Sequence, residues 1–233
     1  MISEADQQQI MAAVAKAEAG TDGEIVCVMA RQVSAYPEVS LAAGAAAALI
    51  GPPVALAFGI HPVDVLHQVL AASTSVVGWA GAGLSKDAET TMILDGYAIT
   101  QAVLFTAAAL LATIPGIRHV LTPASLKKSR VHKAAWAQFA ATGLHTTDGR
   151  TGVVIFASLD DRIVEILADE GIHAKVGDAV WNAAVKAVQE GMKAKSPAKG
   201  FVKAVEICGA ALAEHFPSTG PHGNDLSDRL LEL

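Results

Sequence analysis

The chain has 233 residues, enough for one large domain or two small ones with a substantial core. Its formal net charge of −6 gives no general attraction to nucleic acid, and its two cysteines suggest neither a disulfide framework nor a zinc site. The apolar fraction of 52% is high for a soluble domain, and nearly all the charge lies in residues 1–38 and 118–233. The start, MISEADQQQI, has no basic region and no early apolar run, which predicts no cleavable signal peptide.

The first elements are predicted to be a helix and a buried strand. Ser3 is placed to cap a helix, with Asp6 three residues further on, and Gly20 is placed to end it. The stretch EIVCVMA, residues 24–30, is apolar and rich in β-branched side chains, which predicts a strand buried on both faces.

Two charge-free stretches in the middle of the chain, residues 39–60 and 96–117, are predicted to cross a membrane. Each has 22 residues, about 33 Å as a helix, and the hydrocarbon core of a bilayer is about 30 Å thick. Residues 62–85 are also apolar, but they contain His67, Gln68 and three successive hydroxyl side chains, which favours an interfacial or re-entrant path. The alternative is a pair of buried helices in a soluble helical domain.

The charges that flank these stretches predict their orientation. The sequence between the two predicted spans has four acids and one lysine, whereas the segment after the second span has five cations and no acid. Lys and Arg remain on the cytoplasmic side of short loops, so this basic flank is predicted to lie inside. The alternative is a basic surface helix without topological meaning. The flanking cations are Arg118, Lys127, Lys128, Arg130 and Lys133.

The region after the basic flank is predicted to be mixed α/β. A helix is expected to end at Gly143, and two strands, 152–159 and 162–168, are joined by a short polar connection. Two further helices are predicted near 177–193 and 198–215.

The strand at 24–30 needs a partner, because a lone strand of seven residues is not stable. Its natural partner is the strand at 152–159. If the two strands pair, both ends of the segment between them lie on one side of the membrane, so this segment must cross the membrane an even number of times. The sequence therefore predicts a split cytosolic domain, residues 1–37 plus 118–233. A transmembrane helical hairpin within residues 38–117 interrupts it.

Several stretches resemble the TPM-domain proteins, in particular the bacterial membrane-bound branch with apolar helices inserted after the first strand. The resemblance covers roughly residues 1–37 and 126–233, and its most specific part is GRTGVVIF…EILADEGI. It implies an α/β/α sandwich around a small mixed sheet, located near membranes. Some relatives have a phosphatase label, and others are linked to maintenance or assembly of membrane complexes. The stretches are GEIVCVMA, RVHKAAWAQFAATGLHTTDGRTGVVIFASLDDRIVEILADEGIHAKV, GFVKAVEICGAALAEHFP and NDLSDRLLEL.

No common catalytic motif is present: the sequence has no phosphate-binding loop, no G-x-S-x-G elbow, no H-E-x-x-H and no C-x-x-C. His132 and His215 are interpreted as surface or packing residues, and Cys27 and Cys208 as small core residues.

One candidate site follows from the predicted strand order. If the first two strands are parallel and the third returns antiparallel, Glu24, Asp148, Arg150 and Asp169 meet at one edge of the sheet. Glu24 and Asp169 could there bind Ca²⁺ or Mg²⁺ or support acid–base chemistry. The alternative is an Arg150–carboxylate network that only fixes a turn.

Two classes of function remain open. The first is a non-catalytic binding, assembly or maintenance module at the cytoplasmic face of the bacterial inner membrane, with both termini inside. Its partners would be the lipid bilayer and other membrane proteins rather than nucleic acid. The second is a metal-assisted phosphoester hydrolase. The sequence names neither the substrate nor the partner.

Overall fold

The structure is a computed structural model, which describes residues 2–59, 86–144, 151–173, 175–218 and 228–233. Within these ranges the chain forms eight helices and four strands. In chain order they are α1 (Glu4–Glu18), β1 (Glu24–Ala30), α2 (Pro37–Ala57), α3 (Lys86–Leu111), α4 (Pro115–Leu121), α5 (Ala124–Ala141), β2 (Gly152–Ser158), β3 (Ile163–Ala168), α6 (Glu170–His173), α7 (Asp178–Lys193), α8 (Pro197–His215) and β4 (Leu231–Glu232).

The chain packs as two compact units. The first, the α/β unit, consists of Met1–Ala35 and Ala124–Leu233, and the second, the helical unit, consists of Tyr36–Pro123. The assignment of the helical unit to the membrane and of the α/β unit to the cytosol stays a prediction.

The sheet of the α/β unit has the strand order β3-β2-β1-β4. Strand β1 pairs parallel to β2, with Glu24 opposite Gly152 and Ala30 opposite Ser158, and β2 pairs antiparallel to β3. The predicted pairing of strands distant in sequence is therefore confirmed, and so is the mixed sheet.

Both faces of the sheet are covered, because β1 and β2 are apolar at consecutive positions and side chains alternate between the faces. One face packs on α1, α7 and α8 through residues such as Ile25, Ile155 and Phe201. The other face packs on α5 through Val131, Ala135 and Phe139. The result is the predicted α/β/α arrangement of three layers.

The fourth strand was not predicted from the sequence. Residues 231–232 pair parallel to β1, and Leu233 both donates a hydrogen bond to Met29 O (2.9 Å) and accepts one from Arg31 N (3.0 Å). Leu230 is buried in the core, and its carbonyl accepts a hydrogen bond from Gln7 Nε2 at 3.1 Å. The C-terminal residues thus cover an edge of β1 that would otherwise expose unpaired backbone groups.

The helical unit is built on the close packing of α2 against α3. Gly44, Ala48 and Pro52 recur every fourth residue and form a buried face of α2. A Cβ atom at Gly44 would lie 2.8 Å from Phe105 O, and Gln101 Nε2 donates to Ala48 O at 3.4 Å. The helices therefore run antiparallel, and glycine is required where their backbones approach most closely.

The second predicted span, residues 96–117, contains a break near its end, and its crossing of a membrane stays a prediction. The helix ends at Leu111, and α4 begins at Pro115 after a bend of 100°. The physical reason is Pro115, since the residue before a proline is driven out of the helical region and Ile114 is extended. The segment 62–85, predicted to be interfacial or re-entrant, lies outside the described residues.

Candidate functional site

The sheet edge where β1 and β2 begin is the predicted candidate site. Glu24 N donates a hydrogen bond to Thr151 O at 3.2 Å, and Asp169 N donates one to Gly152 O at 3.0 Å on the other side of β2. Glu24 and Asp169 are therefore two strand spacings apart, about 10 Å between their backbones. Asp148 and Arg150 lie outside the described residues, so their positions relative to this edge stay a prediction.

One carboxylate oxygen at this edge has an unusual environment. Asp169 Oδ1 accepts a hydrogen bond from Glu170 N at 3.0 Å, whereas Asp169 Oδ2 is buried without a hydrogen-bond partner among the described residues. A buried carboxylate oxygen is costly unless a cation or a donor satisfies it. Both interpretations of the site, a bound cation and a network with Arg150, would satisfy it.

The described residues do not supply a complete metal site. Within the described ranges, no three His, Cys, Asp or Glu side chains are grouped so that they could hold a metal ion. Ca²⁺ takes about six to eight oxygen ligands, so a cation beside Asp169 would need further ligands, for which Asp148 is the candidate from the sequence.

Glu18, an acidic residue that the sequence did not single out, lies close to Glu24 and to a second such residue, Asp228. Glu18 ends α1, and its Oε1 accepts a hydrogen bond from Ile25 N at 2.8 Å. The pKa of Glu18 is raised to about 8: burial raises it most, the hydrogen bond from Ile25 N lowers it, and the charges of Glu24 and Asp228 add to the rise. No local sequence pattern could have indicated this acidic group, because Asp228 is distant from Glu18 in sequence and precedes β4, which pairs with β1.

The two cysteines are buried in the core, as expected. Burial, then the nearby Cys208 and Glu18, raises the pKa of Cys27 far above its usual range. Burial also raises the pKa of Cys208 to about 12. Burial thus disfavours the thiolate, which is the reactive form of cysteine, at both positions.

A second polar contact joins α5 to β3 on the face of the sheet that α5 covers. His132 Nδ1 lies 2.7 Å from Glu165 Oε1, and the His132 ring meets Trp136 edge to face with centroids 6.4 Å apart. Both His132 and His215 are exposed, and His215 ends α8. The contact fits the interpretation of His132 as a surface residue.

The predicted basic flank is divided between the two units. Arg118 is in α4 of the helical unit, whereas the other four cations are in α5 of the α/β unit. Lys127 is buried, which was not expected of a membrane-flanking residue, while Lys128, Arg130 and Lys133 are exposed.

These features define a class: a three-layer α/β domain with a four-stranded mixed sheet, interrupted after β1 by a separate helical unit. Part of this chain is similar to the TPM domain, because residues 116–211 match the model of the TPM domain family. The match begins after most of the helical unit and omits β1 and β4. The resemblance to TPM-domain proteins is therefore confirmed, whereas membership of their membrane-bound branch stays a prediction.

A solved structure supports the same fold. The NMR structure of the BA42 protein from the psychrophilic bacterium Bizionia argentinensis is similar to the chain with a TM-score of 0.53. The two sequences are 16% identical, and the comparison covers 100% of this chain and 95% of BA42. No curated protein matches the chain.

Proposed function

We propose that this protein is anchored in the bacterial cytoplasmic membrane and that its TPM domain binds or stabilises membrane proteins at the cytoplasmic face. The observation that carries the anchoring is the exposure of α2. This helix has 21 residues, and only 17% of its most apolar window of 18 residues is buried. A core helix of a soluble protein buries most of such a surface, whereas here Leu41, Leu49 and Ile50 are exposed.

The pairing of β1 with β2 supports a hairpin. Both strands belong to one sheet although the helical unit separates them in sequence, so both ends of that unit return to one domain. A membrane insertion with this connectivity crosses an even number of times. The basic segment after α3 favours the cytoplasm for the domain and both termini.

The geometry of α4 suits a helix that lies in the headgroup layer of the membrane rather than one that crosses it. It lies at 100° to the end of α3, so it would run nearly parallel to a bilayer that α3 crosses. Ile117, Val120 and Leu121 are exposed and lie on one side of the helix, whereas Arg118 and His119 lie on the other. An amphipathic helix of this kind buries its apolar side at the boundary of the acyl chains.

A non-catalytic role is supported by the chemistry of the candidate site. Both thiols are protonated and buried, and Glu18, whose pKa is raised by burial, is engaged by the backbone of β1. The second candidate is a metal-assisted phosphoester hydrolase, which is favoured by Asp169 Oδ2, an oxygen without a hydrogen-bond partner in the described ranges.

One comparison tests the proposal. The full chain and a variant in which a short linker replaces residues 38–117 are expressed, and their membranes are extracted at alkaline pH. We expect the full chain to stay in the membrane, the linker variant to be soluble, and neither to hydrolyse a phosphomonoester with added Ca²⁺ or Mg²⁺. Release of the full chain would contradict the anchoring, and metal-dependent turnover lost in Asp169→Asn would favour the hydrolase.

A further inference from the structure

A cavity of about 530 Å³ lies in the α/β unit between the turn from β2 to β3 and the C-terminal end of α7. Its volume is in the range of small-molecule sites. It lies at the end of the sheet opposite Glu24 and Asp169, where the parallel strands β1 and β2 have their carboxyl ends. Ligands of α/β proteins commonly bind at this end of the strands. The cavity is lined by Arg162, Gln189, Met192, Lys193 and Lys195.

The lining of the cavity carries three positive charges. Arg162, Lys193 and Lys195 are exposed, and none of the described residues that line the cavity is acidic. The three side chains also form no ion pair with any other residue in the described ranges. Like charges around one cavity repel one another, and a bound anion removes this repulsion.

Two of these cations stand at backbone positions that favour glycine. Lys195 follows the end of α7 and has a φ of 55°. Ser196 N donates a hydrogen bond to Gly191 O at 2.9 Å, which caps the C-terminal end of the helix. In caps of this kind, the position of Lys195 is usually occupied by glycine. Arg162 ends the turn between β2 and β3 with φ of 56°, and its N–H donates to Leu159 O at 3.3 Å. The left-handed conformation is unfavourable for a side chain with Cβ.

Local stability therefore does not explain why cations occupy both positions. Unfavourable backbone conformations at functional positions are retained when the side chain is needed there. Arg162 contributes a planar guanidinium that can donate two parallel hydrogen bonds to a phosphate, and the two lysines contribute compact charges.

We propose that this cavity binds the phosphate group of a small molecule or of a lipid headgroup. Arg162 and Lys195 recognise the phosphate oxygens, and Lys193 adds charge at the same wall. The site is independent of the acidic edge, and only the lipid headgroup as a source of the phosphate rests on the proposed membrane anchoring.

The test uses the full chain in phosphatidylcholine nanodiscs, titrated with inorganic pyrophosphate by calorimetry. Arg162→Gly and Lys195→Gly remove a charge and relieve the backbone, so each is expected to melt at an equal or higher temperature while binding pyrophosphate about tenfold more weakly, a loss of about 1.4 kcal/mol. Lys199→Gln, which removes an exposed cation of α8 outside the cavity, is the matched control and is expected to bind like the wild type.

Equal binding by the wild type and both glycine variants would overturn the proposal, as would an equal loss in Lys199→Gln or no binding by the wild type. A second set of nanodiscs with phosphatidic acid separates the two sources of the phosphate. If phosphatidic acid weakens pyrophosphate binding in the wild type, the ligand is a lipid headgroup. If affinity is the same in both sets, the ligand is a free phosphate compound.

Discussion

Glu18 accepts a hydrogen bond from the backbone N–H of Ile25 at 2.8 Å, and this bond joins the last turn of α1 to the start of β1. The carboxyl group also lies near Glu24 and Asp228, so its ionisation would place three negative charges where helix, strand and C-terminal segment meet. The charge state of Glu18 therefore links the packing of these three elements to pH.

Glu18→Gln is expected to reduce the pH dependence of stability. The pKa of Glu18 in the folded protein is about 8, above its ordinary value of 4.5, so the stability it contributes is complete below about pH 4.5 and is lost as pH rises through 8. Glutamine resembles the protonated carboxyl and can still accept the bond from Ile25. Thermal melts of the full chain should show a smaller loss between about pH 5 and pH 8 than in the wild type. Glu190→Gln, which changes an exposed carboxyl group, is the control and should show the same change of melting temperature with pH as the wild type. The same pH dependence in the wild type and both variants would refute the raised pKa of Glu18.

Gly44→Ala is expected to destabilise the pair of α2 and α3. The added Cβ would lie 2.8 Å from Phe105 O, and because this contact is with backbone the helices must separate. Overpacking of this kind costs about 1–3 kcal/mol. The control is Gly116→Ala in α4, where a Cβ would meet no atom of the described residues within 4 Å. In nanodiscs, Gly44→Ala should melt at a lower temperature than the wild type, and Gly116→Ala should melt like the wild type. An unchanged melting temperature for Gly44→Ala would show that the helices are not closely packed.

Leu230→Ala is expected to release the C-terminal strand from β1. Leu230 is buried in the core, and truncation of such a side chain costs about 2–5 kcal/mol. The amide of Arg31, which donates to Leu233 O, should then exchange hydrogen faster. The amide of Leu159, which donates to Ala30 O, serves as an internal control. Equal protection of Arg31 in both proteins would contradict a role for Leu230 in holding this strand.

Arg150→Ala and Asp169→Asn decide between the two interpretations of the buried Asp169 Oδ2. We expect a structural network, in which Arg150→Ala lowers the melting temperature and Ca²⁺ or Mg²⁺ has no effect on the wild type. Metal-dependent stabilisation of the wild type that is absent in Asp169→Asn would instead establish a cation site. In that case, Asp169→Asn should leave the metal-free fold within about 1 kcal/mol.

The sequence predicted the three long strands because each is a mainly apolar stretch of six or seven residues, and the observed bounds differ by a residue at most. The two-residue strand β4 has no such pattern, since it depends on contacts with Met29, Arg31 and Gln7 that are distant in sequence. The shifted pKa of Glu18 also depends on these long-range contacts, so it was not predictable. The break before α4 was different, because Pro115 and Gly116 were visible in the sequence as a place where a helix stops.

The most direct test of the proposed membrane hairpin, inserted into a TPM-like domain on the cytoplasmic side, is labelling from outside the cell. Asp64→Cys and Asp87→Cys are made in the full chain, in which Cys27 and Cys208 are buried and should not react with a maleimide. Ala137→Cys, at an exposed position of α5, is the control for the cytoplasmic side. The hairpin predicts that positions 64 and 87 react with a membrane-impermeant maleimide in intact spheroplasts and that position 137 reacts only after permeabilisation. Protection of 64 and 87 until the membrane is opened would contradict it.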